Sequence, residues 1–206
     1  MADTTTTTDS PGRTYKGSCH CGFTKYTIKL RLPPAVLGDS THSSKMNSSE
    51  MSASSPTPTV RLRKCNCTVC HKMGFFHVRV PFAPTDFSLL SPLDPFKELG
   101  DYQCYEKKFH WPFCKVCGVR CFGFFGEGEV VKREVDGVLK EVWAPKAEGW
   151  EEGKTGYLSV NASSLDEGQE GLDLREWHEK GWIHYLDCLD DKEEVSWERP
   201  HRGGCY

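Results

Sequence analysis

Three cysteines within six residues, Cys65, Cys67 and Cys70, form the part of this sequence best equipped for chemistry. A CxC and a CxxC share their middle thiol, so the three sulfurs can converge on one soft cation. The same spacing suits disulfides poorly, because cysteines this close along the chain strain the geometry of the bridge. The stretch therefore predicts a metal site with three protein ligands.

Two further pairs, Cys19 with Cys21 and Cys114 with Cys117, lie on either side of this stretch. Each pair has glycine beside it, which allows the backbone to bend around a metal. Together the pairs can complete a tetrahedral zinc site with four thiolates, and such a site is structural because no position stays open. The alternative is four buried thiols that hold no ligand.

The central three cysteines leave the fourth position of a tetrahedral zinc to water or substrate, as in catalytic zinc sites. Three negative ligands quench the charge of the ion, which favours holding a thiol as thiolate over hydrolysis. Two alternatives stay open. Either His71 or Cys104 supplies a fourth ligand, or the clusters share ligands, for example Cys65 and Cys67 with the pair at Cys114.

Composition limits the classes of function. The chain has 206 residues, of which 37% are hydrophobic and 12% aromatic, enough for one domain with a modest core. The formal net charge is −3 and the basic residues are scattered, so nucleic acid is not an expected partner. No apolar run approaches the roughly 18 residues of a membrane span, so no membrane partner is expected either.

The cysteine count also indicates the compartment. The first residues carry neither a basic nor an apolar segment of a secretory signal, so we expect a cytoplasmic protein with reduced thiols. Eleven cysteines in such a compartment indicate metal binding, and an odd number argues against a closed disulfide framework.

The chain divides by composition into a domain with extensions. Residues 1–13 are rich in threonine and predict a disordered tail. Residues 14–188 form the predicted zinc-binding domain. Within it, the serine-rich and proline-bounded stretch 33–59 predicts a low-complexity insertion. Residues 189–206 predict an irregular C-terminal tail.

Short strands dominate the predicted secondary structure. Tyr26, Ile28 and Leu30 alternate with polar residues, the pattern of a half-buried strand. Asp136-Gly137 predicts a hairpin turn, and residues 172–180 predict a helix that ends at a glycine. Further strands are predicted at 60–64, 76–80, 102–113, 121–126, 157–161 and 182–186. The fold class expected is mainly β with few short helices.

The three cysteine clusters in this order resemble the glutathione-dependent formaldehyde-activating enzyme family, which includes centromere protein V. The segments that carry the resemblance are Gly17–Gly22, Cys65–Cys70 and Phe113–Gly118. Val160–Asp166 looks like a later "VN…LD" stretch of that family. The resemblance runs from about residue 15 to residue 187.

The resemblance implies the Mss4-like fold, in which antiparallel β-sheets are built around zinc. It implies two zinc ions. The ligands of the structural zinc would be Cys19, Cys21, Cys114 and Cys117. The ligands of the second, more labile zinc at the active site would be Cys65, Cys67 and Cys70. The family activity is carbon–sulfur bond formation and cleavage, named for the joining of formaldehyde to glutathione as S-(hydroxymethyl)glutathione.

Two functions of different class follow. The first is a zinc-dependent carbon–sulfur lyase or synthase that acts on an adduct of a small thiol such as glutathione. The second is a non-catalytic zinc-binding module that interacts with a protein partner. Binding to chromatin or microtubules, as in centromere protein V, would need a basic stretch that this sequence lacks.

Overall fold

The computed structural model describes residues 12–34, 60–80, 82–189 and 194–206. Thirteen strands in two sheets dominate the secondary structure of this part of the chain, so the predicted mainly β class is confirmed. Most of the predicted tail, and the predicted insertion from residue 35 to residue 59, lie outside the described residues. The division into domain, insertion and tails therefore stays a prediction.

The strands, in chain order, are β1 (Arg13–Ser18), β2 (Lys25–Leu30), β3 (Arg61–Cys65), β4 (His77–Arg79), β5 (Phe87–Ser91), β6 (Gly100–Cys104), β7 (Phe109–Phe113), β8 (Phe122–Phe125), β9 (Gly128–Val135), β10 (Val138–Pro145), β11 (Tyr157–Asn161), β12 (Ile183–Asp187) and β13 (Glu194–Ser196). One sheet has five strands in the order β1-β2-β5-β10-β9. The other has eight, in the order β13-β12-β3-β4-β11-β8-β7-β6. Neighbouring strands are antiparallel except β12 and β3, which are parallel.

Four short helices connect the strands in the described part: α1 (Thr68–Met73), α2 (Ala83–Asp86), α3 (Pro95–Glu98) and α4 (Leu174–Glu179). The helix predicted over 172–180 corresponds to α4, with Asp173 as its N-cap and Gly181 in the left-handed conformation after it. None of these helices has the length and apolar character needed to cross a membrane.

The core lies between the two sheets. The alternation in β2 places Tyr26, Ile28 and Leu30 in it, as predicted. Phe87 of the five-stranded sheet meets Phe122 of the eight-stranded sheet with ring centroids 5.5 Å apart. Burying each such side chain stabilises the fold by about 1.5–3 kcal/mol. The opposite face of the eight-stranded sheet does not line this core, so polar side chains can lie on it.

Turn chemistry explains where the strand predictions succeed and where they are wrong. Asp136 and Gly137 both have positive φ and close the β9–β10 hairpin, as predicted. The span 102–113 is not one strand but the β6–β7 hairpin. Its turn uses Tyr105, Glu106 and Lys107 at positive φ, residues that give no turn signal in a sequence. The C-terminal segment, expected to be irregular, contributes β13.

Candidate metal centres

Four of the cysteines meet at one point between the sheets. They are Cys19, Cys21, Cys114 and Cys117, and their sulfur atoms all lie within 4.8 Å of one another. The Cys19 and Cys21 sulfurs are 3.6 Å apart, and those of Cys21 and Cys114 are 3.5 Å apart. Zinc–sulfur bonds of about 2.3 Å in a tetrahedron place sulfurs about 3.8 Å apart. The cluster therefore fits a zinc ion.

Two turns with the same construction present these thiols. Gly22 and Gly118 follow the two pairs, at φ of 74° and 75°, conformations that side chains disfavour. Their N–H groups donate to the carbonyls of Cys19 (2.9 Å) and Cys114 (2.8 Å). One turn joins β1 to β2 and the other joins β7 to β8. A metal held here ties the five-stranded sheet to the eight-stranded sheet.

The other three predicted ligands, Cys65, Cys67 and Cys70, form a separate cluster with sulfurs within 4.8 Å of one another. We call it the triad. Cys65 ends β3, Cys67 is the N-cap of α1, and Cys70 lies in the first turn of that helix. Backbone N–H groups donate to two of the sulfurs, from Cys67 to Cys65 Sγ (3.3 Å) and from Cys70 to Cys67 Sγ (3.4 Å). Both bonds favour the thiolate form.

The triad cannot carry three negative charges without a cation. Hydrogen bonds from Cys188, Cys67 and Cys70 hold the pKa of the Cys65 thiol well below its usual range. The same proximity has the opposite effect on Cys70, whose pKa is raised by its interactions with Cys65 and Cys67. A divalent ion removes this conflict, so the donor set fits a soft dication such as zinc. Cys65 and Cys67 are half-buried, which leaves one side of the cluster open to solvent.

His77 supports the triad from β4. Its Nε2 lies 3.1 Å from Cys70 Sγ, and its Nδ1 lies 3.2 Å from both the Tyr157 hydroxyl and Ser159 Oγ. Burial lowers the pKa of His77 to about 4, so the ring is neutral at physiological pH. When Cys70 is a thiolate, Nε2–H donates to it and Nδ1 accepts from a hydroxyl. Such a second layer fixes the orientation of a metal ligand.

Asn66 anchors the loop that carries the triad. It is only 3% exposed. Its Oδ1 accepts from the backbone N–H groups of Cys188 (2.7 Å) and Leu189 (2.9 Å). Its Nδ2 donates to Asp187 Oδ1 (2.6 Å) and to the carbonyl of Arg202 (2.9 Å). One side chain thus joins the triad to the end of β12 and to the C-terminal segment.

We expect Asn66→Ala to lower the free energy of unfolding by about 2–4 kcal/mol, because two part-buried N–H groups, a carbonyl and the Asp187 carboxylate each lose a hydrogen bond. Urea unfolding measures this loss. The same variant should release zinc from the triad to a chelator about ten to a hundred times more readily, as expected of a support behind a ligand. As a control, Gln103→Ala alters an exposed amide and should stay within about 0.5 kcal/mol of wild type. Equal stability of both variants would contradict this role.

The structure places the predicted fourth ligands elsewhere. His71 is exposed on α1 and does not belong to the triad. Cys104 Sγ accepts a hydrogen bond from Trp111 Nε1 (3.2 Å) and also lies outside the set. The alternative of ligands shared between clusters is not what the structure shows, since the triad and the four-cysteine cluster are separate groups. Two side chains that do form hydrogen bonds with the triad are His77 and Cys188.

Sequence reasoning missed both His77 and Asn66. His77 is one polar residue in an alternating strand, and Asn66 lies between two cysteines in a loop, so neither differs from an ordinary polar residue in the sequence. Their roles come from β11, β12 and the C-terminal segment, which are remote along the chain.

Comparisons with known proteins leave the chain without an assigned family. No family model matches it, and no curated protein does. One match among solved structures is a structural-genomics crystal structure of a Rhodobacter sphaeroides protein. It is 17% identical, with a TM-score of 0.38, and the alignment covers 78% of this chain and 93% of the other. A likeness this weak carries no argument, so the function has to be inferred from the residues of the two cysteine clusters.

Proposed function

We propose that this protein is a zinc-dependent carbon–sulfur lyase or synthase that acts on adducts of a small thiol, similar to S-(hydroxymethyl)glutathione synthase. The supporting observation is that seven cysteines divide into a cluster of four and a cluster of three. Four thiolates saturate a tetrahedral zinc, whereas three leave one position for a substrate. The order of the clusters along the sequence, which resembles that enzyme family, supports the same proposal.

The residues around the triad have separate roles in this proposal. Zinc held by the triad would supply a coordination position at which a small thiol can bind as a thiolate near neutral pH. His77 keeps Cys70 oriented through the bond to its sulfur. Phe75 and Trp111, with ring centroids 4.9 Å apart, pack against the triad as an apolar wall and limit the access of water.

The proposed reaction is balanced by one proton. In the synthase direction the thiolate sulfur gives an electron pair to the carbonyl carbon of a small electrophile such as formaldehyde. A carbon–sulfur bond forms, the carbonyl π pair moves to oxygen, and the oxygen takes a proton from solvent at the open side of the triad. Cleavage runs through the same steps in reverse.

Metal removal tests the proposal. We expect two zinc ions per chain by elemental analysis, of which a mild chelator removes one. Turnover of glutathione with formaldehyde should then fall to the uncatalysed rate and return when zinc is added back. The far-ultraviolet circular dichroism should stay unchanged throughout, because the four-cysteine cluster keeps its ion. A single zinc, or two zincs of equal resistance to the chelator, would count against an open triad.

One observation favours the second candidate, a non-catalytic zinc-binding module. Cys188 is hydrogen-bonded to Cys65 and would close the second site if its thiolate became a fourth ligand. Cys188→Ser separates the two candidates. A lyase with three ligands keeps both zinc ions in this variant, whereas a closed site loses one. Cys205→Ser, at an exposed cysteine, is the matched control and should keep both ions in either case.

A further inference from the structure

Three arginines share one face of the eight-stranded sheet with the triad. Arg61, Arg63 and Cys65 alternate along β3, so their side chains leave the same face. Arg79 of β4 is directly opposite Arg61 in the antiparallel register. Residues opposite each other have Cβ atoms about 4.5–5.5 Å apart. We call Arg61, Arg63 and Arg79 the arginine cluster.

The arginine cluster carries more positive charge than its surroundings offset. Arg79 Nε is paired with Glu152 Oε1, and its guanidinium lies 4.6 Å from the centre of the Tyr157 ring. Burial raises the pKa of Tyr157, so its hydroxyl stays neutral. Within the part of the chain that the structure describes, Glu152 is the carboxylate that attracts Arg61, while Arg79 and Arg63 repel it.

Arg61 is the unusual member of the arginine cluster. The residue is 7% exposed, and none of its three guanidinium nitrogens has a hydrogen-bond partner among the described residues. Arg63 Nε is likewise buried and without a partner there. Burial, together with the two neighbouring guanidinium groups, lowers the pKa of Arg61 to about 9. An unpaired buried cation with five unused donors is costly for a fold unless an anion comes to it.

The unpaired donors call for an anion. Among the described residues, Glu152 is the carboxylate beside the three guanidinium groups, it is paired with Arg79, and the nitrogens of Arg61 have no partner. A monoanion with two coplanar oxygens matches the fork of a guanidinium better than a point charge does.

We propose that the arginine cluster binds a carboxylate of the thiol substrate whose sulfur is held at the triad, an inference that rests on the proposed function. Along β3, at about 3.3 Å per residue, the Cα atoms of Arg63 and Arg61 lie about 7 Å and about 13 Å from that of Cys65. These separations are what about two to four residues of extended peptide span. The substrate class is therefore a short peptide thiol that carries a carboxylate.

Calorimetry with a ligand that lacks a free thiol tests this inference apart from turnover. S-methylglutathione keeps its carboxylates, and its diethyl ester does not. On the zinc-loaded protein we expect the acid to bind about tenfold or more tightly than the ester, as charge-assisted bonds imply. Arg61→Met should remove this preference and leave the affinity for the ester unchanged. Arg175→Met removes the same charge from an exposed position on α4 and should keep the preference.

The stability of Arg61→Met supplies a second measurement. Removal of an unpaired buried cation should raise the melting temperature of the ligand-free protein or leave it unchanged. A large fall would show that Arg61 has a structural partner and would overturn the proposal. No binding of the acid to wild type, or the same preference for acid over ester in Arg61→Met, would overturn it as well. So would an equal Arg61-dependent stabilisation by sodium acetate or inorganic phosphate, since that would indicate a site for free anions.

Failure of this inference can be told apart from failure of the proposed function. If glutathione and formaldehyde show no turnover but the acid binds through Arg61, the arginine cluster is a carboxylate site and the lyase proposal falls. If turnover is found and acid and ester bind equally, the lyase proposal stands and the arginine cluster has no part in binding substrate.

Discussion

Cys114→Ser is expected to leave the protein unfolded at room temperature. The four-cysteine cluster joins the β1–β2 turn of one sheet to the β7–β8 turn of the other, and loss of one thiolate opens its coordination shell. Structural zinc contributes about 10–16 kcal/mol of apparent binding energy in zinc-finger peptides. A domain as a whole is stable by only about 5–15 kcal/mol. Circular dichroism and zinc content, measured at equal protein concentration, should both show the loss.

The matched control is Cys121→Ser, which alters another buried thiol near the same cluster. Cys121 lies in the core and outside both groups of potential ligands. Its replacement puts a smaller and more polar hydroxyl in the core beside Ser164 and should lower the free energy of unfolding by about 1–3 kcal/mol without loss of zinc. If Cys114→Ser melted at the same temperature as Cys121→Ser, the cluster would not be a structural zinc site.

Both cysteine clusters could be predicted because ligand spacing is a local property. A chelating pair such as Cys114 and Cys117 needs only one turn, and the glycine that the turn requires is adjacent in the sequence. Neither chelating pair alone fills a tetrahedral shell, which favoured joining the two distant pairs, but ligands shared with the central cluster remained an alternative in the sequence. The β9–β10 hairpin was predictable for a similar reason, since Asp136-Gly137 specifies its turn locally.

The environment of the triad could not be predicted in the same way. Arg61 and Arg63 alternate with Leu62 in a pattern that predicts a strand with one charged face. That pattern cannot tell a solvated face from a covered one, because the cover depends on contacts remote in sequence. The hydrogen bonds of Asn66 with Cys188 and with Arg202 likewise join residues that are remote in sequence. The surroundings of the arginines and of Asn66 thus depend on tertiary contacts, and they become visible only in the structure.

Cys67→Ser is expected to remove the zinc of the triad without unfolding the protein. Serine is among the preferred N-cap residues, so it can replace the Cys67 sulfur as acceptor for the Cys70 N–H at the start of α1. It is a far weaker zinc ligand than a thiolate. The variant should therefore melt near the wild-type temperature and contain one zinc per chain. Turnover of glutathione with formaldehyde should fall at least about a hundredfold, since even groups behind a metal ligand contribute ten- to hundredfold.

Cys104→Ser gives this experiment its control. Cys104 packs beside the triad and accepts from Trp111, but it lies outside the set of three sulfurs. Its serine variant should keep two zinc ions and full turnover, because a hydroxyl can still accept the indole N–H. The decisive comparison is between these two replacements of neighbouring thiols. Equal turnover by Cys67→Ser and wild type on each thiol adduct tested would sink the lyase proposal, whereas loss of turnover with one zinc and an intact fold places the chemistry at the triad.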